Sequence, residues 1–173
     1  MALLPIIQLG NPILRQKATE VEDIQDETIQ KLIDDLMATV TEANGAAPQI
    51  AQSYRVMIVA SRPNPRYPHA PHMEPTAMIN PRIIAHSSTM IKDWEGCLSI
   101  PGIRGLVPRY ESIEVEYTDR NGKIQRQLLT NFVARIFQHE YDHFDGIVFL
   151  DCLESNLDIV TDHEYQKLIV NKI

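Results

Sequence analysis

The stretch QHEYDH at residues 138–143 carries side chains whose types and spacing suit metal chemistry. Residues four apart lie on one face of an α-helix, so His139 and His143 can bind the same divalent ion. Glu140 then lies beside the coordination position that remains open to water. A bound ion lowers the pKa of that water to about 7, and a neighbouring carboxylate can accept the proton. The stretch therefore predicts a metallohydrolase in which metal-bound hydroxide attacks the substrate and Glu140 is the general acid and base.

A third ligand is needed to specify the site, because the same string also arises by chance on polar helices. Metzincin peptidases carry a further histidine downstream, but Phe149 stands at that position here, which disfavours that class. One candidate is Glu164, which would make a gluzincin-type peptidase. The other is Cys97, whose thiolate would be a soft, charged donor that suits zinc or ferrous iron. Gly96 precedes it and lets the backbone come close.

Three segments of the chain resemble the sequence motifs of the peptide deformylase family. Glu-Gly-Cys-Leu-Ser is intact at residues 95–99, and Gln-His-Glu-x-Asp-His is intact at residues 138–143. The family's first motif, Gly-x-Gly-x-Ala-Ala-x-Gln, is shortened here to residues 44–49. The segments occur in the family's order, and the resemblance covers nearly the whole chain up to about Cys152.

The shortened first motif leaves two explanations open. Counting back from Gln49, the expected glycines fall on Glu42 and Asn44. If Gly45 is instead the family's first glycine, three residues are missing after it. Either the loop is shorter in this protein, or three residues of the natural chain are absent from the sequence. We expect the second explanation to hold.

The resemblance implies a role for each matching residue. Three residues would bind one divalent metal: Cys97, His139 and His143. That metal would be Fe²⁺ in the cell, with Zn²⁺ or Ni²⁺ able to replace it. Glu140 would be the general acid and base, while the backbone N–H of Leu98 and the side-chain amide of Gln49 would stabilise the oxyanion. The activity would be removal of the formyl group from the N-terminal formyl-methionine of nascent proteins, with release of formate.

The resemblance also places four residues around the substrate. A pocket for the methionine side chain would lie near Glu95 and the helix residues before Gln138. Arg104 matches a position that meets the peptide backbone of the substrate. Gly45 and Gly96 belong to segments that border the same site. A surface arginine on a turn is the alternative for Arg104. An inactive, deformylase-like binding module is the alternative for the chain as a whole.

Composition favours one enzyme domain. With 173 residues, of which 44% are hydrophobic, the chain can bury a core, and we expect a single catalytic domain over residues 1–173 with a variable tail at 153–173. A net charge of −7 disfavours nucleic acid as the main partner. The two cysteines are far apart, so no disulfide framework is indicated, and Cys152 is expected to be a small buried hydrophobe.

The chain is expected to be cytoplasmic. Its apolar start lacks a basic region, and no apolar run is long enough to span a membrane. In many relatives the tail forms a longer helix, sometimes basic, that is thought to touch the ribosome. Here the tail has two lysines, no arginine and several carboxylates. Docking on ribosomal RNA through the tail is therefore disfavoured, and any association with the ribosome would be transient.

Hydrophobic periodicity and turn residues predict the remaining elements. They indicate helices at 26–43, capped by Asp26, and at 131–144, a loop at 62–75 with incidental surface histidines, and strands at 55–60, 77–80, 82–85, 112–117 and 124–129. A turn at 119–122 makes the last two strands a hairpin. The predicted fold is α+β, with mostly antiparallel strands wrapped around a central helix that carries the HExxH pattern.

Overall fold

The structure, a computed structural model, describes residues 6–43, 54–64 and 67–170. Three α-helices are present in these ranges: α1 (Glu27–Ala43), α2 (Asn131–His143) and α3 (Asp162–Val170). Seven strands accompany them: β1 (Val56–Ser61), β2 (Met73–His86), β3 (Met90–Cys97), β4 (Ile100–Tyr110), β5 (Ser112–Thr118), β6 (Ile124–Thr130) and β7 (Ile159–Thr161). Short 3₁₀ turns occur at Pro12–Arg15, Phe149–Cys152 and Asn156–Asp158.

The strands form two antiparallel sheets. One has the order β1-β2-β5-β6 and the other has the order β3-β4-β7. Helix α2 packs against β1, β5 and β6 of the first sheet and against β4 of the second. Its Ala134 and Phe137 are fully buried in a cluster with Met57, Val59 and Val115. The predicted arrangement of antiparallel strands around a central motif helix is therefore confirmed.

Helix α1 covers the opposite face of β1 and β2. As predicted, Asp26 caps the helix, because its Oδ1 accepts a hydrogen bond from the backbone N–H of Thr28 at 2.7 Å. One face of the helix is apolar and packs on the sheet. The buried residues of this second core are Val21, Ile29, Leu32, Ile33, Leu36, Val40, Val56, Ile58, Ala77 and Ile79.

Strand β2 corrects the prediction of two short strands after a long loop. It is one strand of 14 residues that begins at Met73 and continues through Pro81. Proline has no N–H for the ladder, but the register shifts between Ile79 and Arg82, which removes Pro81 from regular pairing. Asn80 adopts a φ of 48° there. The Asn80 side chain bonds the N–H and the C=O of Val21, each at 2.9 Å. These bonds stabilise the β-bulge that the register shift at Pro81 creates.

The predicted hairpin of β5 and β6 is confirmed, with Asp119 Oδ1 accepting from the N–H groups of Asn121 at 2.9 Å and Lys123 at 3.0 Å.

The tail joins the second sheet, because β7 pairs with β4 through Arg104 and Val160. Within the described ranges, no helix has the length and apolar character needed to cross a membrane.

Candidate metal centre

The three predicted ligands come together at the end of β3 and one face of α2. Potential donor atoms of Cys97, His139 and His143 all lie within 4.8 Å of one another. The two rings approach edge to face, with centroids 5.1 Å apart, as expected for residues one helical turn apart. The Nε2 atom of His143 lies 3.6 Å from Cys97 Sγ. Cys97 reaches this position because β3 ends there, at the turn into β4.

These donors fit a divalent transition metal. An ion bound tetrahedrally at about 2.3 Å from a thiolate sulfur and about 2.1 Å from an imidazole nitrogen separates those two atoms by about 3.6 Å. The observed distance from Cys97 Sγ to His143 Nε2 is also 3.6 Å. A thiolate and two imidazoles suit zinc and ferrous iron. One cysteine and two histidines also leave a coordination position for water, as catalytic sites require.

Glu95 sets the orientation of His139. The Nδ1 atom of His139 lies 2.9 Å from Glu95 Oε2. Since an ionised carboxylate only accepts, Nδ1 carries the proton and Nε2 is left with a free lone pair for a metal. Glu95 is 4% exposed. Burial alone would raise the pKa of Glu95, but the hydrogen bond from His139 and the charge of Arg109 outweigh it and hold that pKa well below its usual range.

Two buried arginines complete this network. Arg109 donates to both Glu95 oxygens, from Nε at 2.9 Å and from Nη2 at 3.1 Å, and Arg135 donates from Nη1 to Oε1 at 2.8 Å. Arg109 also pairs with Asp142 at 2.5 Å. Arg135 bonds the Val107 carbonyl at 2.8 Å, which ties α2 to the sheet of β3 and β4. Sequence reasoning missed both arginines, because each lies in an apolar stretch and its partner is distant along the chain.

His143 lacks a comparable anchor. Its Nδ1 is buried without a hydrogen-bond partner among the described residues. Burial lowers the pKa of His143 well below its usual value, and the positive charge of Arg109 lowers it further. The ring is therefore neutral, which is the form that binds a metal.

Two of the three donors, Cys97 and His139, lie at the wall of a cavity of about 390 Å³, a volume in the range of small-ligand sites. Glu140 and Leu98 line it beside the donors. Its other walls include Tyr67, Trp94, Gly96, Arg104, Phe132 and Ile136. Glu140 is 5% exposed, so the predicted general base is a largely buried carboxylate at the cavity.

The remaining predicted residues have different outcomes. Glu95 lines the cavity, but its carboxylate accepts hydrogen bonds from His139 and the two arginines. These contacts fix the orientation of the His139 ring. Arg104 lies on strand β4 and is 3% exposed, which excludes a surface arginine on a turn. Gly45, Gln49 and the shortened loop lie outside the described residues, so those predictions stay predictions.

Three residues considered for other sites lie apart from the donors. Glu164 is exposed on α3, where it pairs with Lys167 at 2.7 Å, and it does not join the cluster of donors. His69 and His72 are exposed in the loop before β2. Cys152 is half-buried and packs beside Val148 and Phe149, and burial raises the pKa of its thiol to about 11. A protonated thiol is a poor metal ligand, which agrees with its predicted structural role.

Comparison with known proteins identifies the family. The family model described as Polypeptide deformylase matches residues 3–158. The chain belongs to the peptide deformylase family. A protein named Peptide deformylase 2 from Nostoc sp. is 70% identical over 170 residues, which cover 96% of this chain and 95% of that protein. Peptide deformylase 2 of Shewanella oneidensis is 46% identical over 151 residues, which cover 86% of this chain and 83% of that protein.

Solved structures of peptide deformylases have the same fold. The Met-Ala-Ser-bound class I type b peptide deformylase from Acinetobacter baumannii is 43% identical with a TM-score of 0.84, covering 88% of this chain and 99% of that one. The enzyme from Thermotoga maritima is 28% identical with a TM-score of 0.78, covering 90% of this chain and 100% of that one.

Membership of the peptide deformylase family confirms the predicted enzyme class, a metal-dependent hydrolase that removes the N-terminal formyl group from formyl-methionine. Neither a gluzincin-type peptidase nor an inactive binding module is favoured by any of these observations.

Proposed function

We propose that formyl removal in this chain uses Cys97, His139 and His143 to hold one divalent metal and Glu140 to transfer the proton. The observation that carries this proposal is the convergence of the three donors, within 4.8 Å of one another, beside the cavity that Cys97, His139 and Glu140 line. The substrate is the formyl-methionine end of a nascent peptide.

The proposed metal in the cell is Fe²⁺, with Zn²⁺ or Ni²⁺ able to replace it. When bound, the ion acidifies a water molecule and polarises the formyl carbonyl. One thiolate and two neutral imidazoles leave such a site with a single positive charge, less than three histidines would leave. The hydrogen bond from His139 to Glu95 supports the proposal, because it orients the ligand before any metal arrives.

In the proposed reaction, Glu140 accepts a proton from the attacking water as the new C–O bond forms at the formyl carbon. It returns that proton to the nitrogen of methionine as the C–N bond breaks, so formate and a free amino terminus result. The backbone N–H of Leu98 and the side-chain amide of Gln49 would donate to the oxygen that gains negative charge. The position of Leu98 next to Cys97 at the cavity wall supports its part in this scheme.

The methionine side chain would occupy the apolar part of the cavity. Phe132 and Ile136 approach it from α2, and Trp94 approaches it from β3. A long, flexible thioether fills an irregular apolar space well, and apolar walls also keep bulk water from the reacting carbonyl.

We further propose that the chain acts as a single catalytic domain in the cytoplasm, where nascent chains carry formyl-methionine. Any association with the ribosome is proposed to be transient. In support of this, the chain has a net charge of −7, and Lys167 of α3 already pairs with Glu164 at 2.7 Å. A chain with this charge, whose tail holds more carboxylates than lysines, has little attraction for the phosphates of RNA.

The experiment is metal analysis of protein purified without air, combined with a formate-release assay on formyl-Met-Ala-Ser. Formate release is expected to rise in proportion to iron content. E140Q is expected to lower kcat by about 10²–10⁴-fold, the usual contribution of a positioned general base, while it retains the metal. Activity that is independent of metal content, or E140Q with wild-type kcat, would contradict the proposal.

A further inference from the structure

Arg104 is a buried cation held between the loop before β2 and the C-terminal helix. Its Nε donates to Asp162 Oδ1 at 2.7 Å, and its Nη1 donates to the Tyr67 hydroxyl at 2.8 Å. The guanidinium carbon lies 5.7 Å from the ring centroid of Tyr67 and 5.2 Å from that of Tyr165. Two cation–π contacts and two hydrogen bonds therefore define the orientation of this side chain.

Asp162 supplies the negative charge that this burial requires. Arg104 is 3% exposed, and a guanidinium removed from water needs a counter-charge. Burial raises the pKa of Tyr67 to about 12, so Tyr67 is a neutral phenol and cannot supply it. Asp162 is the one carboxylate that forms an ion pair with Arg104 among the described residues. The pairing of β7 with β4 carries Asp162, the first residue of α3, to this position.

Arg104 also reaches the substrate cavity. It lines that cavity together with Gly96 and Cys97. It packs so closely on the strand before the cysteine ligand that a Cβ at Gly96 would lie 2.5 Å from its Nη1. The hydrogen bonds to Asp162 and Tyr67 use Nε and Nη1. Within the described part of the chain no acceptor bonds Nη2, so both of its N–H groups remain for a peptide carbonyl.

We propose that Asp162 is a positioning residue for substrate binding, which holds Arg104 in the orientation in which it contacts the peptide backbone of the substrate. This inference rests on the proposed function of the cavity. It makes β7 and α3 part of the substrate site, although the chemistry takes place on β3 and α2. Because Asp162 acts through Arg104 and touches no reacting atom, its loss should change KM and leave kcat nearly unchanged.

The test is steady-state formate release from formyl-Met-Ala-Ser by the metal-loaded full chain. D162N is expected to raise KM about tenfold, the change that about 1.4 kcal/mol of binding free energy produces, with kcat within about twofold of wild type. E164Q is the matched control, since it makes the same carboxylate-to-amide change in the first turn of the same helix. It should leave both constants unchanged. D162E should restore most of the wild-type KM.

A double-mutant cycle separates positioning from a general structural role. R104Q should raise KM, and D162N combined with R104Q should have the KM of R104Q alone, because Asp162 then has no arginine to hold. Effects on KM that multiply would overturn the inference. So would a D162N variant whose kcat or metal content falls together with its binding of substrate.

Two further outcomes keep the inference distinct from the proposed function. If D162N does not fold, Y67F removes the other hydrogen bond to Arg104 and should raise KM without a change in kcat; an unchanged KM in Y67F then overturns the inference. If R104Q has the wild-type KM while the wild-type protein releases formate, the role of Arg104 and Asp162 fails and the proposed function stands. A wild-type protein that releases no formate refutes the proposed function itself.

Discussion

Replacing Glu95 with glutamine should destabilise the protein and weaken its metal binding together. Oε1 of Glu95 accepts from Arg109 Nε and Arg135 Nη1, and Oε2 accepts from Arg109 Nη2 and His139 Nδ1. Each oxygen therefore faces two donors. In E95Q an amide NH₂ group replaces one of these two oxygens. Whichever way the amide is turned, its N–H groups then face two N–H donors.

The size of the effect follows from the charges that remain buried. Removing one partner of a buried ion pair costs about 3–5 kcal/mol. Arg109 keeps its ion pair with Asp142, and Arg135 keeps its bond to the Val107 carbonyl, so the lower end of that range applies. A loss of about 3 kcal/mol in a domain of this size corresponds to a Tm lower by about 6–12 °C. Because the single amide oxygen of E95Q cannot accept from all four donors, His139 is oriented less firmly, and metal affinity should fall by about 10–100-fold.

The assay is guanidinium unfolding at pH 7 with a chelator present, so that metal binding does not contribute to the measured free energy. E154Q is the control, because Glu154 pairs with Lys92 at 2.8 Å on the surface, where its side chain is 64% exposed. That pair should contribute about 1 kcal/mol or less. Metal affinity is then measured separately by competition with the chelator.

The difference in unfolding free energy between wild type and E95Q should depend on pH. The pKa of Glu95 is lower in the folded state than the value of about 4.3 for a free glutamate, so its charge stabilises the fold fully above that value and progressively less as the pH falls toward the folded pKa. The difference in stability between wild type and E95Q should therefore shrink below about pH 4. An E95Q protein within about 1 kcal/mol of wild type at pH 7 would refute the reasoning about this buried network.

Three further substitutions test separate parts of the site. C97A should lose its metal on dialysis while C152A retains it, as metal analysis of the two variants will show, since Cys152 lies outside the donor cluster. G96A places a Cβ 2.5 Å from Arg104 Nη1 and should cost about 1–3 kcal/mol in unfolding free energy, with a higher KM; a KM equal to that of wild type would contradict the packing. Q138L removes bonds of 3.0 Å to both the N–H and the C=O of Tyr110 and should cost about 1–3 kcal/mol in thermal or guanidinium unfolding, whereas unchanged stability would mean that this docking of α2 on β4 is unimportant.

Elements made by local interactions could be predicted from the sequence. The cap of α1 at Asp26 depends on an N–H two residues away, and the turn at Asp119 depends on N–H groups two and four residues away. The continuity of β2 could not be predicted, because Pro81 normally ends a central strand. Here the side chain of Asn80 accepts a hydrogen bond from the N–H of Val21, 59 residues away in the chain, and so stabilises the irregular part of the strand at Pro81.

The substrate side of the site also combines a feature that the sequence predicts with contacts that only the tertiary structure shows. The resemblance predicts Arg104 near the peptide, but the burial of Arg104 depends on Asp162, 58 residues later, and on Tyr67, 37 residues earlier. Neither partner belongs to a sequence motif. The role of Glu95 was likewise hidden, because its position before the cysteine suggested contact with substrate, whereas its charge is neutralised by arginines from β4 and α2.

The amino-acid sequence alone determined the ligand types, their spacing on α2 and the carboxylate beside them, because helical periodicity acts within a few residues. Only the tertiary structure decided that the sulfur of Cys97 meets the ring of His143, 46 residues away, and that a buried carboxylate orients the ring of His139. Such contacts depend on how two sheets and a helix pack together. A buried charge must find its partner wherever that packing places one, and distance along the chain does not determine that place.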